Sequence, residues 1–130
     1  MTELAGRIGA ALATFRASGG SGPAVATIKV CWAPDEAKAR ETVHRLWASS
    51  GMPGESSQEL SMPAHFEAAA ELVTLDDMAD KIPCGPDPDR HAEAIKEFFE
   101  AGYDEVHLSQ VGDPADGFFE FFTEELAPRL

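Results

Sequence analysis

Two cysteines, four histidines and a few polar residues closing apolar runs are where this sequence could do chemistry. Cys31 and Cys84 each lie at the end of an apolar stretch, so a redox pair is one reading. Reduced structural thiols are the other, and the favoured one, because no Cys-x-x-Cys and no basic neighbour lowers a thiol pKa. His44, His65, His91 and His107 invite a metal reading. None is spaced as His-x-x-x-His, so they read as solvated or packed side chains and no metal site is expected. Trp32 and Cys84 read first as packing and second as pocket residues. Ser109 and Gln110 are polar groups closing a buried strand; they need partners, and a substrate pocket would supply them.

The elements that must position these residues centre on Lys81–Gly102. A short apolar run, Ile82 to Cys84, stops at Gly85. Asp87 then stands at an N-cap, Pro88 at the first helical position and Asp89 in the first turn. Ile95, Phe98 and Phe99 follow at helical spacing, with His91 or Ala94 on the same side, and Gly102 supplies the stop. Glu105–Gln110 reads as the next strand.

Upstream, residues 3–18 predict a helix with Leu4, Ile8, Ala11, Leu12 and Phe15 on one face. Ser18 to Pro23 ends it in a flexible turn. Val25–Trp32 is nearly continuous in apolar residues, which suits a strand covered on both faces. Pro34 is expected to open a second helix, with Ala39, Val43, Leu46 and Trp47 on its buried side. Residues 49–62 predict a long loop, expected to be mobile like the turn at 18–23. A short helix from Pro63 to Val73 turns Phe66, Ala69 or Ala70, and Val73 inward, and Thr74 with Asp77 forms a capping box. Phe118, Phe119, Phe121 and Phe122 mark a closing helix that stops at Pro128. Three times a strand ends in a Pro/Asp turn that launches a helix. The fold class is therefore α/β, and three such units predict the last part of a (β/α)8 TIM barrel rather than a small open sheet with bare edges.

The chain of 130 residues is 44% hydrophobic and carries a formal charge of −13, from 23 acidic and 10 basic residues. That charge repels nucleic acid and anionic membranes, and also a phosphate-bearing cofactor unless cations come from elsewhere. No apolar run reaches transmembrane length, no secretion signal is visible, and cytoplasm is the expected location.

Four segments carry a family likeness: Val30–Trp47 (beginning Val-Cys-Trp-Ala-Pro-Asp-Glu), Cys84-Gly-Pro-Asp-Pro-Asp89, Glu100-Ala-Gly-Tyr-Asp-Glu-Val106, and Gly117–Leu130. In order and spacing the chain resembles the C-terminal part of luciferase-like flavin or deazaflavin oxidoreductases, in the branch related to deazaflavin-dependent glucose-6-phosphate dehydrogenases. The resemblance implies a barrel whose last three strands are 25–32, 82–84 and 105–110. Residues 1–19 form the preceding helix, 49–81 an insertion, and 105–130 the last strand and closing helix of one partial barrel domain. It implies hydride transfer between a small organic substrate and coenzyme F420, with FMN as the alternative cofactor. The family's catalytic residues and most cofactor-phosphate contacts lie on earlier strands that this chain does not match, so no catalytic residue is assigned. Barrel active sites lie at strand C-terminal ends, which makes Trp32, Cys84, Gly85, Ser109 and Gln110 the pocket candidates. The family's sugar-phosphate enzymes also use basic residues near the last helix and before the seventh strand. The first region reads Asp116-Gly117 here and does not support a phosphate site; Lys81 lies one residue from the second position and is the candidate there.

Two functions follow. One is part of a deazaflavin-dependent oxidoreductase, inactive and without tightly bound cofactor on its own. The other is a non-catalytic acidic α/β module that acts by oligomerising or binding. Either way the chain is expected to form homo-oligomers or to associate with the missing barrel portion, through an apolar inward face of Val25–Trp32.

Overall fold

The computed structural model describes residues 3–48, 59–113 and 115–130. The order is α1 (Glu3–Ala17), β1 (Val25–Val30), α2 (Glu36–Trp47), α3 (Pro63–Ala70), α4 (Leu75–Lys81), α5 (Pro88–Glu100), β2 (Glu105–Gln110) and α6 (Ala115–Phe121). A π turn, Phe122–Leu126, and a 3-10 turn, Ala127–Arg129, follow α6. Most of the 49–62 loop expected from the sequence lies outside the described residues.

β1 and β2 pair directly in parallel, from Val25 opposite Glu105 to Val30 opposite Gln110. The segment 82–84, expected as a strand between them, instead makes a single bridge, Cys84 to Cys31. It sits on the other edge of β1. The Val30 carbonyl faces β2 and accepts from Val111 N–H, whereas the next residue, Cys31, turns its N–H and carbonyl to Pro83 and Gly85. Pro83 explains the brevity: it has no N–H to donate, and Gly85 leaves extended geometry at once with φ +103°.

β1 is not covered on both faces. Burial alternates strictly, with Ala26, Ile28 and Val30 buried. The other face carries Val25, Thr27 and Lys29 beside Glu105, His107 and Ser109, mostly polar side chains that tolerate water. The reading of an apolar inward face failed because Thr27 and Lys29 fall on it together, two residues apart.

Two apolar clusters flank the sheet. Ala26, Ile28 and Val30 pack with Ala92, Ile95 and Phe98 of α5 and with Phe118, Phe121 and Leu126. Cys31, Ala39, Val43, Val73, Met78, Ile82, Cys84 and Val111 form the second, under α2 and α4, with Phe66 and Ala69 packed against it. Helix starts obey their caps. Asp87 accepts from Asp89 N–H, and Thr74 and Asp77 exchange bonds of 3.1 and 2.9 Å. α2 begins at Glu36, two residues later than Pro34 suggests, because Asp35 takes the N-cap and accepts from Ala37 N–H. Leu46, Trp47 and Phe99, expected inside, are exposed. In the turn after α1, Arg16 Nη1 donates to the carbonyls of Gly20 and Gly22 at 3.2 and 2.7 Å.

Candidate functional site

The C-terminal ends of β1 and β2 meet at Trp32 and Gln110. The Gln110 side chain binds the Trp32 backbone twice: Oε1 accepts from Trp32 N–H and Nε2 donates to Trp32 O, both at 2.9 Å. One residue earlier the Cys31 thiol donates to the Val111 carbonyl at 3.4 Å, tying the same two strand ends together. Cys84, its bridge partner, donates to Ile82 O at 3.2 Å. Both thiols are buried. Loss of water pushes Cys31 up to about 11, with a smaller contribution from Cys84, and burial likewise raises Cys84.

Behind the rim, the Trp32 ring stacks on Phe121 at 5.8 Å between centroids, and His91 meets Phe121 edge-on at 5.3 Å. His91 is fully buried in the first turns of α5. Its Nε2–H donates to the Gly85 carbonyl at 2.9 Å, which leaves Nδ1 as a buried acceptor without a partner among the described residues. Burial holds the imidazole below its usual pKa. Beside Trp32 lies a cleft of about 150 Å³ lined by Gly117, Glu120, Phe121, Glu124 and Glu125. Carboxylates dominate its polar lining, so it disfavours phosphate.

The family profile of luciferase-like monooxygenases matches residues 1–105. The chain belongs to the luciferase-like monooxygenase family. Similar relatives include an F420-dependent glucose-6-phosphate dehydrogenase of Rhodococcus hoagii (strain 103S), 31% identical over 103 residues, covering 79% of this chain and 30% of the relative. Another, from Nocardia farcinica (strain IFM 10152), is 30% identical over the same length and coverage. A solved F420-dependent secondary alcohol dehydrogenase, in complex with an F420-acetone adduct, superposes with TM-score 0.69 at 23% identity. It covers 88% of this chain and 35% of the other, and shows the fold. The parallel α/β unit is thus a piece of a barrel, and the chain spans about 30% of the length of the relatives it matches.

Within this luciferase-like frame the sequence candidates do not converge on one point. Trp32 and Gln110 touch, and Cys84 sits one bridge away inside the core. Ser109 projects from the opposite face of β2, opposite Lys29, whose Nζ stands 4.5 Å over the Trp47 ring. Lys81 is exposed at the end of α4. Sequence reading missed the amide clamp, although a glutamine closing a strand was its signal; of His91 and Ala94, which it left as alternatives on the apolar side of α5, His91 is the buried one.

Neither Arg40 nor the start of α5 offers a site to the phosphate arm of F420. Such an arm needs cations or free backbone donors. Arg40 is bound by Glu36 and Asp76, at 2.8 and 3.1 Å. At the start of α5, Asp87 occupies the Asp89 N–H, and Arg129 is engaged by Asp89 at 2.9 Å, so that amide and that cation already have partners. No three of His, Cys, Asp and Glu come together as metal ligands among the described residues, and no helix there is long and apolar enough to cross a membrane.

Proposed function

We propose that these residues serve as the closing strands and rim of a deazaflavin-dependent oxidoreductase barrel, in which hydride passes between F420 and a small organic substrate. The observation that carries this reading is the likeness over 79% of the chain to F420-dependent glucose-6-phosphate dehydrogenases. The role of this portion is positional. Gln110 and Cys31 lock two strand ends that face the substrate side of a barrel, and Trp32, stacked on Phe121, forms part of that wall. Cofactor phosphate contacts and the proton-transferring groups come from the remaining polypeptide. Glu120, Glu124 and Glu125 line the cleft beside Trp32, which argues against a phosphate group seated in that cleft.

A second reading, a non-catalytic acidic module, draws on the committed cations and the −13 charge. One experiment separates the two. The chain is combined with the part of the Rhodococcus hoagii relative lying outside the matched stretch, and substrate-dependent change in F420 absorbance is followed with a secondary alcohol and with glucose 6-phosphate. Turnover with the alcohol supports the oxidoreductase reading. A stable complex without turnover on either supports the module, and FMN replacing F420 would reassign the cofactor.

A further inference from the structure

The two faces of the sheet stand in different relations to a barrel. α5 and the closing segment cover Ala26, Ile28 and Val30, and in this architecture helices form the outer ring. The face with Thr27, Lys29, His107 and Ser109 is therefore the inward one. Its C-terminal end has a roof: Cys31 and Val111, the next positions on it, are buried with Ala39 and Val43 of α2. Lys29 and Ser109 lie opposite each other in the layer just below. Paired strands are about 4.8 Å apart, so an ammonium and a hydroxyl there can serve two oxygens of one group.

Lys29 is half-buried, although Thr27, His107 and Ser109 around it are exposed. Trp47 of α2 covers it, with Nζ 4.5 Å from the ring centroid. An aromatic face holds an ammonium in place without neutralising its charge. Trp47 is itself 40% exposed, so its ring stays open to a ligand. Among the described residues no carboxylate pairs with Lys29, whereas His107 already has Glu105 at 3.4 Å. In a chain of net charge −13, a positive charge is thus held on the substrate side beside a hydroxyl.

We propose that Lys29 and Ser109 form a carboxylate subsite, and that the small organic substrate is a hydroxy acid. The inference rests on the function proposed above and adds its substrate class. The ammonium and the hydroxyl each donate to one carboxylate oxygen, and the Trp47 ring walls the carbon chain. Charge decides between anions. One ammonium balances the single charge of a carboxylate. A phosphate near −2 needs further cations, and the described positions of this face hold no second lysine or arginine. In the reaction the C–H hydride passes to F420 and the O–H proton to a base on the remaining polypeptide. The alcohol becomes a ketone and the carboxylate is unchanged.

Two measurements test this with 3-hydroxybutyrate and, as its neutral counterpart, 2-pentanol. The first follows the Trp47 indole N–H of the chain by NMR. The expected result is a saturable shift with 3-hydroxybutyrate and none with 2-pentanol. Lys29→Met should abolish the shift, Lys29→Arg should retain it, and Ser109→Ala should weaken binding at least threefold; circular dichroism checks that each variant is folded. The second adds F420 and the part of the Rhodococcus hoagii relative outside the matched 103 residues. There 3-hydroxybutyrate should exceed 2-pentanol at least tenfold in kcat/KM. Lys29→Met should raise KM for the acid at least tenfold and leave 2-pentanol within twofold. A shift that is absent, or that survives Lys29→Met and Ser109→Ala, overturns the subsite. Equal kcat/KM for acid and alcohol, or a preference for glucose 6-phosphate, overturns the substrate class and leaves the oxidoreductase reading standing. A Lys29-dependent shift without turnover of any of the three upholds the subsite and overturns the proposed function.

Discussion

Gln110 holds Trp32 by both ends of its amide, at 2.9 Å each, so a side chain continues the parallel ladder two residues beyond Val30. An amide is the group that imitates a neighbouring peptide in this way, offering one donor and one acceptor. Gln110→Leu leaves the Trp32 N–H and carbonyl without these partners and should cost about 1–3 kcal/mol. Gln110→Glu should also destabilise, because a carboxylate then faces the Trp32 carbonyl. Urea midpoints measure both; a Gln110→Leu midpoint equal to that of the parent would contradict the clamp.

His91 makes stability depend on pH. Burial lowers its pKa in the folded chain below the usual value of about 6.5, so the unfolded state binds the extra proton first. The contribution is therefore fully present above the unfolded pKa and is lost as pH falls from there toward the folded pKa. Stability should decline as pH falls below the unfolded value of about 6.5, and His91→Phe should remove much of that slope whatever its effect on the plateau. An unchanged slope in the variant would assign the acid sensitivity elsewhere.

Gly112 follows β2 with φ +73°, and a Cβ built there would lie 2.5 Å from Thr42 Cγ2 of α2. Thr42 cannot readily swing away, because it is β-branched and its hydroxyl donates to Lys38 O at 2.9 Å. Gly112→Ala should cost at least about 1–2 kcal/mol from the left-handed backbone alone, with the contact in addition. Pairing it with Thr42→Ala should recover only the contact part. Thermal melts of the two single variants and the double variant decide; full additivity would contradict the contact.

Cys31 and Cys84 should resist thiol reagents while the chain is folded. Both are at most 2% exposed, and at pH 8 a Cys31 pKa of about 11 leaves roughly one thiol in a thousand ionised. Labelling with a chromogenic disulfide reagent should await unfolding by urea. Rapid reaction of the native chain, or a native disulfide between the two, would show that the strand ends open.

Helices were legible in the sequence because their signals are local. The Thr74–Asp77 box, the Asp87 cap and the Ile95–Phe98 spacing each lie within a few residues. Strand pairing was only partly legible. Ile82 to Cys84 looks like a strand from its side chains, but the edge it occupies and its single bridge are set by contacts some fifty residues away at Cys31. The rim was legible as residue types and not as partners. Gln110 announced a need for hydrogen bonds, yet which groups met that need depended on where β1 ends. The buried histidine was legible only as an alternative to Ala94, because helical spacing from Ile95 and Phe98 fits either residue.

On the function proposed above, this chain positions part of an F420-dependent barrel and does not bind the cofactor by itself. Titrating the chain against F420 fluorescence, alone and then with the complementary portion of the Rhodococcus hoagii relative, tests it most directly. The expected result is no saturable quenching by the chain alone at micromolar concentrations, and saturation at one equivalent once the complement is present. Saturation by the chain alone near 1 μM, equivalent to roughly −8 kcal/mol of specific contacts, would contradict it.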